Sequence, residues 1–418
     1  MRPEIMVIGR LAAIGVLSAA AIGCSGGGGG ADAGRSPGPA LRSPGSALRS
    51  PGSALRSPGS GLRSPGPTPS RPAVSARPEV VPSLSGGTWT QTRTADAGAV
   101  MLSVAVTGGG EAWAVGTPGE NRRTGTVLRW DGHTWRAAPL PPGLRYPAVV
   151  SATSPRNVWI FDNHANAWQW DGRRWSARGR PPGKLPIVLD DAVVTGPADA
   201  WVAAAQDHGT AEEPDWRPVL ARRSPAGWSV VPRPARQAVR HLGATASGDL
   251  WALTEDGDTV SSVEHWNGRR WTAVPPPPWP GGATAEFTDL AVVSEREVWV
   301  AGSILPPGDG SATAMLMRWN GDRWNPVSGL PADAVSFNAV ASDGHGGVWL
   351  GASNYHSENK RILLHFDRRS WTYEKTPRTG NAPEVLDLVK LPGRDTVFAV
   401  GGNPSYDEDG EAWIWTRS

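Results

Sequence analysis

Arginine, aspartate, histidine and tyrosine side chains collect in a few irregular stretches of this 418-residue chain. Arg122 and Arg123 fall in one, Asp207 and His208 in a second, Tyr355 and His356 in a third, and Tyr406 and Asp407 in a fourth. These side chains form ion pairs and charge-assisted hydrogen bonds, the contacts that hold a protein or glycan surface. A second chemistry is offered by Ser103, Asp191, Asn338 and Asp387, each in a short apolar, strand-like segment. Aligning those segments brings the four to about one level, where their oxygens could hold a cation or ordered water. Catalytic constellations are missing: there is no His-Glu-x-x-His, no phosphate-cradling loop and no dinucleotide fingerprint opening a helix. Gly34-Arg35-Ser36-Pro37-Gly38 fits the serine-hydrolase elbow pattern, but a Pro-Gly repeat cannot supply the strand-turn-helix setting that the elbow needs.

The elements that must carry the first set are announced by tryptophan. There are 22 Trp against five Phe and four Tyr. A short unit recurs in which an aromatic, Asp-Gly or Asn-Gly and two further residues lead to a Trp, as in Trp130-Asp131-Gly132-His133-Thr134-Trp135. Before each unit, Gly-rich turns separate short alternating segments such as Ser103–Val106, 112–116 and 127–130. Four short strands per unit are expected. One aromatic column runs Trp113, Trp159, Trp201, Trp251, Trp299, Trp349 and Phe398, at spacings of 42 to 50 residues. A four-stranded unit with this period predicts an all-β, seven-bladed β-propeller. Its last unit is split: Trp413-Ile414-Trp415-Thr416-Arg417-Ser418 carries the first half, and the missing fourth strand is supplied by the segment at Trp89. Closing the ring in this way removes an exposed sheet edge. Of the tryptophans, 18 fall in the repeating columns and are expected to pack between sheets, which leaves Trp168, Trp216, Trp279 and Trp413 freer to bind.

Ahead of the ring lie two further segments. Arg2 and Arg10 precede an apolar run from Leu11 to Ile22, too short to span a bilayer, and then comes the single cysteine, Cys24. Ala21-Ile22-Gly23-Cys24 resembles a bacterial lipobox, which implies a signal peptide over 1–23 and a lipidated Cys24. Residues 24–86 contain a seven-residue repeat seen at Arg42-Ser43-Pro44-Gly45-Ser46-Ala47-Leu48. Pro and Gly in every copy rule out a helix, so a disordered spacer is expected. Nine arginines and three acids lie before residue 87, leaving a net charge of about −4 on 87–418. The basic balance belongs to the arm, and nucleic-acid binding by the ring is not expected.

The turn between the paired tryptophans resembles the Asp-box of sialidase-like propellers, Ser-x-Asp-x-Gly-x-x-Trp. Gly132 and Trp135 match its end, as do Gly172 with Trp175 and Gly268 with Trp271. The Asp stands one place later and the Ser is missing, so the likeness is confined to a turn. WD40 and kelch signatures are absent. The whole chain also resembles secreted propeller lipoproteins of high-GC bacteria, which implies export and a lipid anchor. Sialidase chemistry uses three arginines with a Tyr-Glu pair; Arg145 with Tyr146 and Arg240 with His241 are the nearest groups, and the full set cannot be assembled. The reading is a monomeric binding or scaffold module for an extracellular protein or glycan, displayed on the outer face of the membrane. A glycan-active hydrolase or lyase on the same face is the alternative. No cofactor is implied beyond a channel cation at Asp191, Asn338 and Asp387. Cys24→Ala should move the protein from the membrane fraction to the soluble fraction on cell fractionation; unchanged retention would refute lipidation.

Overall fold

The computed structural model describes residues 83–84, 87–93, 99–118, 124–233, 237–245, 248–256, 259–308, 310–353, 362–377, 384–402 and 412–418. Every strand among them falls in one of seven sheets, each built on an antiparallel meander of four strands. Blade 1 is built from Met101–Val106, Ala112–Gly116, Thr126–Trp130 and Trp135–Ala137. Blades 2 to 6 repeat this meander over 147–179, 187–230, 239–273, 284–326 and 336–373. Blade 7 takes three strands from the C-terminal end, Glu384–Lys390, Val397–Gly402 and Ala412–Arg417. Its fourth is Trp89–Arg93, paired so that Trp89 lies opposite Arg417 and Gln91 opposite Trp415. The predicted closure is therefore present. The chain also pairs earlier than residue 87: Ser83–Leu84 adds a short parallel strand outside Thr372–Tyr373 of blade 6.

The blades are mated by indoles. Each second-strand aromatic is buried, and it packs against the aromatics that flank the turn of the following blade. Trp113 meets Trp170 and Trp175 at 5.7 and 5.5 Å between ring centres. Trp201 meets Trp266 and Trp271, Trp251 meets Trp319 and Trp324, and Phe398 meets Trp130 and Trp135. Such pairs contribute about 0.5–1.5 kcal/mol each beyond the area they bury. Blade 3 departs from the rule, as its sequence does. Arg223 stands where other blades have the first Trp, and its guanidinium lies 5.7 Å from the Trp159 ring. A cation–π contact replaces the aromatic one there.

The other face of these aromatics is covered from within the blade. The third-strand residue opposite each is Arg129, Gln169, Arg222, His265, Arg318, His365 and Thr416 in turn. Arg129, Arg222 and Arg318 lie 5.1–5.6 Å from the Trp113, Trp201 and Trp299 rings. His265 and His365 stack on Trp251 and Trp349 at 4.5 and 4.2 Å. An acid ties most of these groups in place. Glu111 holds Arg129 at 2.5 Å, Asp199 holds Arg222 at 2.6 Å and Glu297 holds Arg318 at 3.1 Å. Asp249 and Asp343 hold the two histidines.

At the closing blade, Trp89 packs edge-on to Trp349 and its indole N–H donates to the buried Glu374 carboxylate at 2.8 Å. Trp89→Ala should cost about 3–5 kcal/mol, since it opens a cavity and leaves that carboxylate short of a donor. The midpoint of urea unfolding reports the loss, and a cost under about 1 kcal/mol would contradict the closure argument.

Candidate functional site

The two faces of the ring are built differently. On one, the fourth strand is entered through the Asp-Gly turns. Asp131 Oδ1 accepts from the backbone N–H groups of His133 and Thr134 at 3.0 and 2.9 Å. Asp171, Asn267, Asn320 and Asp367 repeat the arrangement. These two backbone bonds hold the Asp131 and Asp171 carboxyls below their usual range. The glycines take positive φ, from 87° to 100°, at Gly132, Gly172, Gly268 and Gly321. Arg368 occupies that place in blade 6 with φ 77°, a conformation that favours glycine. The Asp and Asn side chains of these turns are thus engaged by their own backbone.

The opposite, loop face gathers the connections between second and third strands and those between blades. Arg122, Arg123, Tyr355, His356, Tyr406 and Asp407 lie outside the described residues. Asp207 and His208 lie within them. The stretch around them is more ordered than the sequence suggests: strands Asp199–Asp207 and Trp216–Ser224 shorten the connection to 208–215. Asp207 spends Oδ1 on the N–H groups of Gly209 and Asp215, at 2.9 and 2.8 Å, so it shapes the turn. His208 is exposed beside it.

The off-column tryptophans separate cleanly. Trp413 is fully buried and stacked 3.8 Å from Trp415. Trp168 is buried and donates to Pro142 O at 3.1 Å. Trp279 packs against the core between blades 4 and 5. Trp216, opposite Asp207 in the ladder, is 37% exposed, on the loop face.

The central channel, about 370 Å³, is lined by first strands. Every first strand carries one β-bulge at the same point, between Met101 and Ser103 in blade 1 and between Val385 and Asp387 in blade 7. The bulge corrects the sequence alignment. Ser103, Asp191 and Asp387 do share a level, but the fourth oxygen-bearing group there is Asp289, and His241 of blade 4 stands at the same level. Asn338 lies one residue earlier, inside its bulge, and Ala339 takes the level instead. Asp289 is visible in the sequence as Asp289-Leu290, the same pair as Asp387-Leu388.

At this level each oxygen latches the next blade. Leu242 N–H donates to Asp191 at 2.9 Å, Val340 to Asp289 at 2.8 Å and Val104 to Asp387 at 3.0 Å. Val150 N–H donates to Ser103 Oγ at 3.3 Å. These polar groups pin neighbouring first strands together. Among the described residues no three His, Cys, Asp or Glu side chains are grouped so as to hold a metal ion.

Further carboxyls lie in first strands or at the loop-face ends of second strands. Asp190 and Glu255 share Arg240 at 2.6 and 2.5 Å, which joins blades 3 and 4. Arg240 and His241 both sit in the first strand of blade 4, Val239–Ala244. Burial pushes Asp190 up to about 6, against the pull of Arg240. Glu384 begins the first strand of blade 7, and burial alone pushes it up to about 7. Its Oε2 is buried without a hydrogen-bond partner among the described residues. Neither was legible beforehand, since burial of a carboxylate follows from the ring and not from its neighbours in sequence.

No protein-family model matches the chain, and no curated protein does. Solved structures do match. YCF48 bound to D1 peptide aligns with 81% of this chain and 98% of its own at 18% identity, with a TM-score of 0.55. A catalytically inactive virginiamycin B lyase from Staphylococcus aureus with quinupristin gives 11% identity, 79% and 99% coverage and a TM-score of 0.52. The WD40 repeats of RRP9 give 11% identity, 81% and 100% coverage and a TM-score of 0.51. At such identities the likeness establishes the β-propeller fold.

Glu384 supplies a pH test. Its native pKa lies above the unfolded value, so the native state holds a proton that the unfolded chain has lost between about pH 4.5 and 7. Stability falls as pH rises through that window. Glu384→Gln should leave stability at pH 4 unchanged and raise it at pH 8 by on the order of 1–3 kcal/mol. Urea titrations at the two pH values check this; an equal effect at both would refute it.

Proposed function

We propose that this chain is an exported, lipid-anchored β-propeller that binds an extracellular protein or glycan on its loop face. The observation that carries the proposal is the asymmetry of the two faces. Turn-face carboxylates and amides are spent on their own backbone, while the loop face carries the irregular connections and the exposed Trp216. Rigid scaffolds that vary their loops on one face place recognition there. The peptide held by YCF48 supports a protein ligand for a ring of this kind. Cys24 and the Pro-Gly arm would fix such a module to the membrane while leaving it reach.

A glycan-active enzyme is the second reading, and one observation favours it. A carboxyl raised to about 7, as Glu384 is, suits a general acid at neutral pH. A glycosidase needs a second carboxyl ~5–9.5 Å away across a pocket.

A photo-crosslinking amino acid at Leu140 or Leu185, both exposed on the loop face, should capture envelope partners. The same group at His133 or Arg173, exposed on the turn face, should capture few. Equal capture from both faces would overturn the proposal.

A further inference from the structure

Inside the ring, blades 1, 3 and 5 each hold an acid, an arginine and an indole in one sandwich: Glu111, Arg129 and Trp113; Asp199, Arg222 and Trp201; Glu297, Arg318 and Trp299. The guanidinium lies over the ring face and the carboxylate fixes it from the side. This combination satisfies a cation twice, by the ring quadrupole and by a formal charge.

The hairpin at the loop face of blade 3 presents two of these three partners to solvent. All 22 tryptophans are described, and Trp216 is the exposed one among them. Around it the tip carries Asp207, Glu212, Glu213 and Asp215 against Arg217 alone. Arg217 is already committed, to Asp215 at 2.5 Å. Glu212 and Glu213 are exposed.

The tip is a built structure. His208 N–H donates to Asp215 O at 2.8 Å and Thr210 N–H to Glu213 O at 3.0 Å. Glu213 N–H returns to Thr210 Oγ1 at 3.1 Å. A Cβ on Gly209 would stand 2.1 Å from Glu213 O, so the turn admits no larger residue there without moving. On the other side, Asp207 N–H donates to Pro186 O at 3.0 Å and Gln206 Nε2 to Pro182 O at 3.1 Å. These bonds seat the exposed Leu185 beside the same strand end. An indole and a leucine side chain are thus held in water next to surplus negative charge on a braced support.

We infer that this hairpin tip receives an arginine or lysine side chain from a basic segment of a partner protein, with the cation over Trp216 and Glu212 and Glu213 as its countercharge. The inference rests on the loop-face reading above and narrows the partner to a cationic protein. An uncharged glycan could stack on the indole but would leave the carboxylates without an opposite charge.

Fluorescence anisotropy with the full chain tests it, using a labelled peptide of alternating arginine and serine and a citrulline counterpart of equal shape. The arginine peptide should bind, and binding should weaken as salt rises. Trp216→Ala should weaken it at least ~5-fold, and Glu212→Gln with Glu213→Gln at least ~3-fold. Because Trp216 is exposed, its variant should melt with the wild type, which separates lost contact from lost fold. Equal binding of the citrulline peptide, or no change in Trp216→Ala, would overturn the inference. So would loss of a neutral oligosaccharide, rather than the arginine peptide, on Trp216→Ala. Peptide binding that emerges only after Arg42, Arg49 and Arg56 are changed to Gln would assign the tip to the chain's own arm and overturn the partner. If the peptide fails to bind while loop-face crosslinks persist, this assignment falls and the wider reading stands.

Discussion

The structure depends on one repeated contact, the second-strand aromatic wedged between its own blade and the next. A four-stranded blade is too small to bury its faces alone. Five of the seven, Trp113, Trp201, Trp251, Trp299 and Trp349, solve this twice, by filling the gap to the following blade and by carrying a cation or imidazole from their own third strand. The apolar face and the polar sandwich are therefore the same residue. Trp also brings an N–H that Phe lacks: Trp159, Trp251 and Trp299 donate it to Asn157, Asp249 and Glu297, while Trp113 and Trp349 meet no acceptor among the described residues. The fourth-strand tryptophans use it to bridge blades, as when Trp175 donates to Pro139 O, Trp228 to Arg178 O and Trp324 to Val274 O.

The same need for closure explains the channel. Seven first strands converge where side chains have little room, and a bulge in each re-aims the following residue. Four of these residues are oxygen-bearing and accept N–H groups from the adjacent blade. A backbone donor facing a polar channel is thereby satisfied without a continuous sheet. Carboxylates that look like ligands in the sequence are put to structural use.

Constraint on one face leaves freedom on the other. The turn face enters the fourth strands of blades 1, 2, 4, 5 and 6 through nearly identical turns, so its composition there is fixed by φ and by Asx hydrogen bonds. The loop face joins strands that are already in register, and its connections can lengthen without disturbing the ring. Irregular and polar sequence is tolerated there for that reason, as in the blade 3 hairpin over 208–215.

Repeat period, blade number and the split seventh blade were legible in the sequence, because aromatic spacing is written along the chain. The structure adds that blade 3 places a cation, Arg223, where most blades have an indole. The level of Asn338 was not legible, because strand segments can be aligned one residue out and only the cross-strand pairing of Ala339 with Gly351 fixes the register. Nor was the choice among the four off-column tryptophans: Trp413 and Trp168 are buried and Trp216 is exposed, although all three look alike in sequence. Exposure and the pKa of Glu384 depend on atoms contributed by distant blades. Local spacing determined the ring; only the tertiary packing decided which of its polar and aromatic groups remain available to anything outside it.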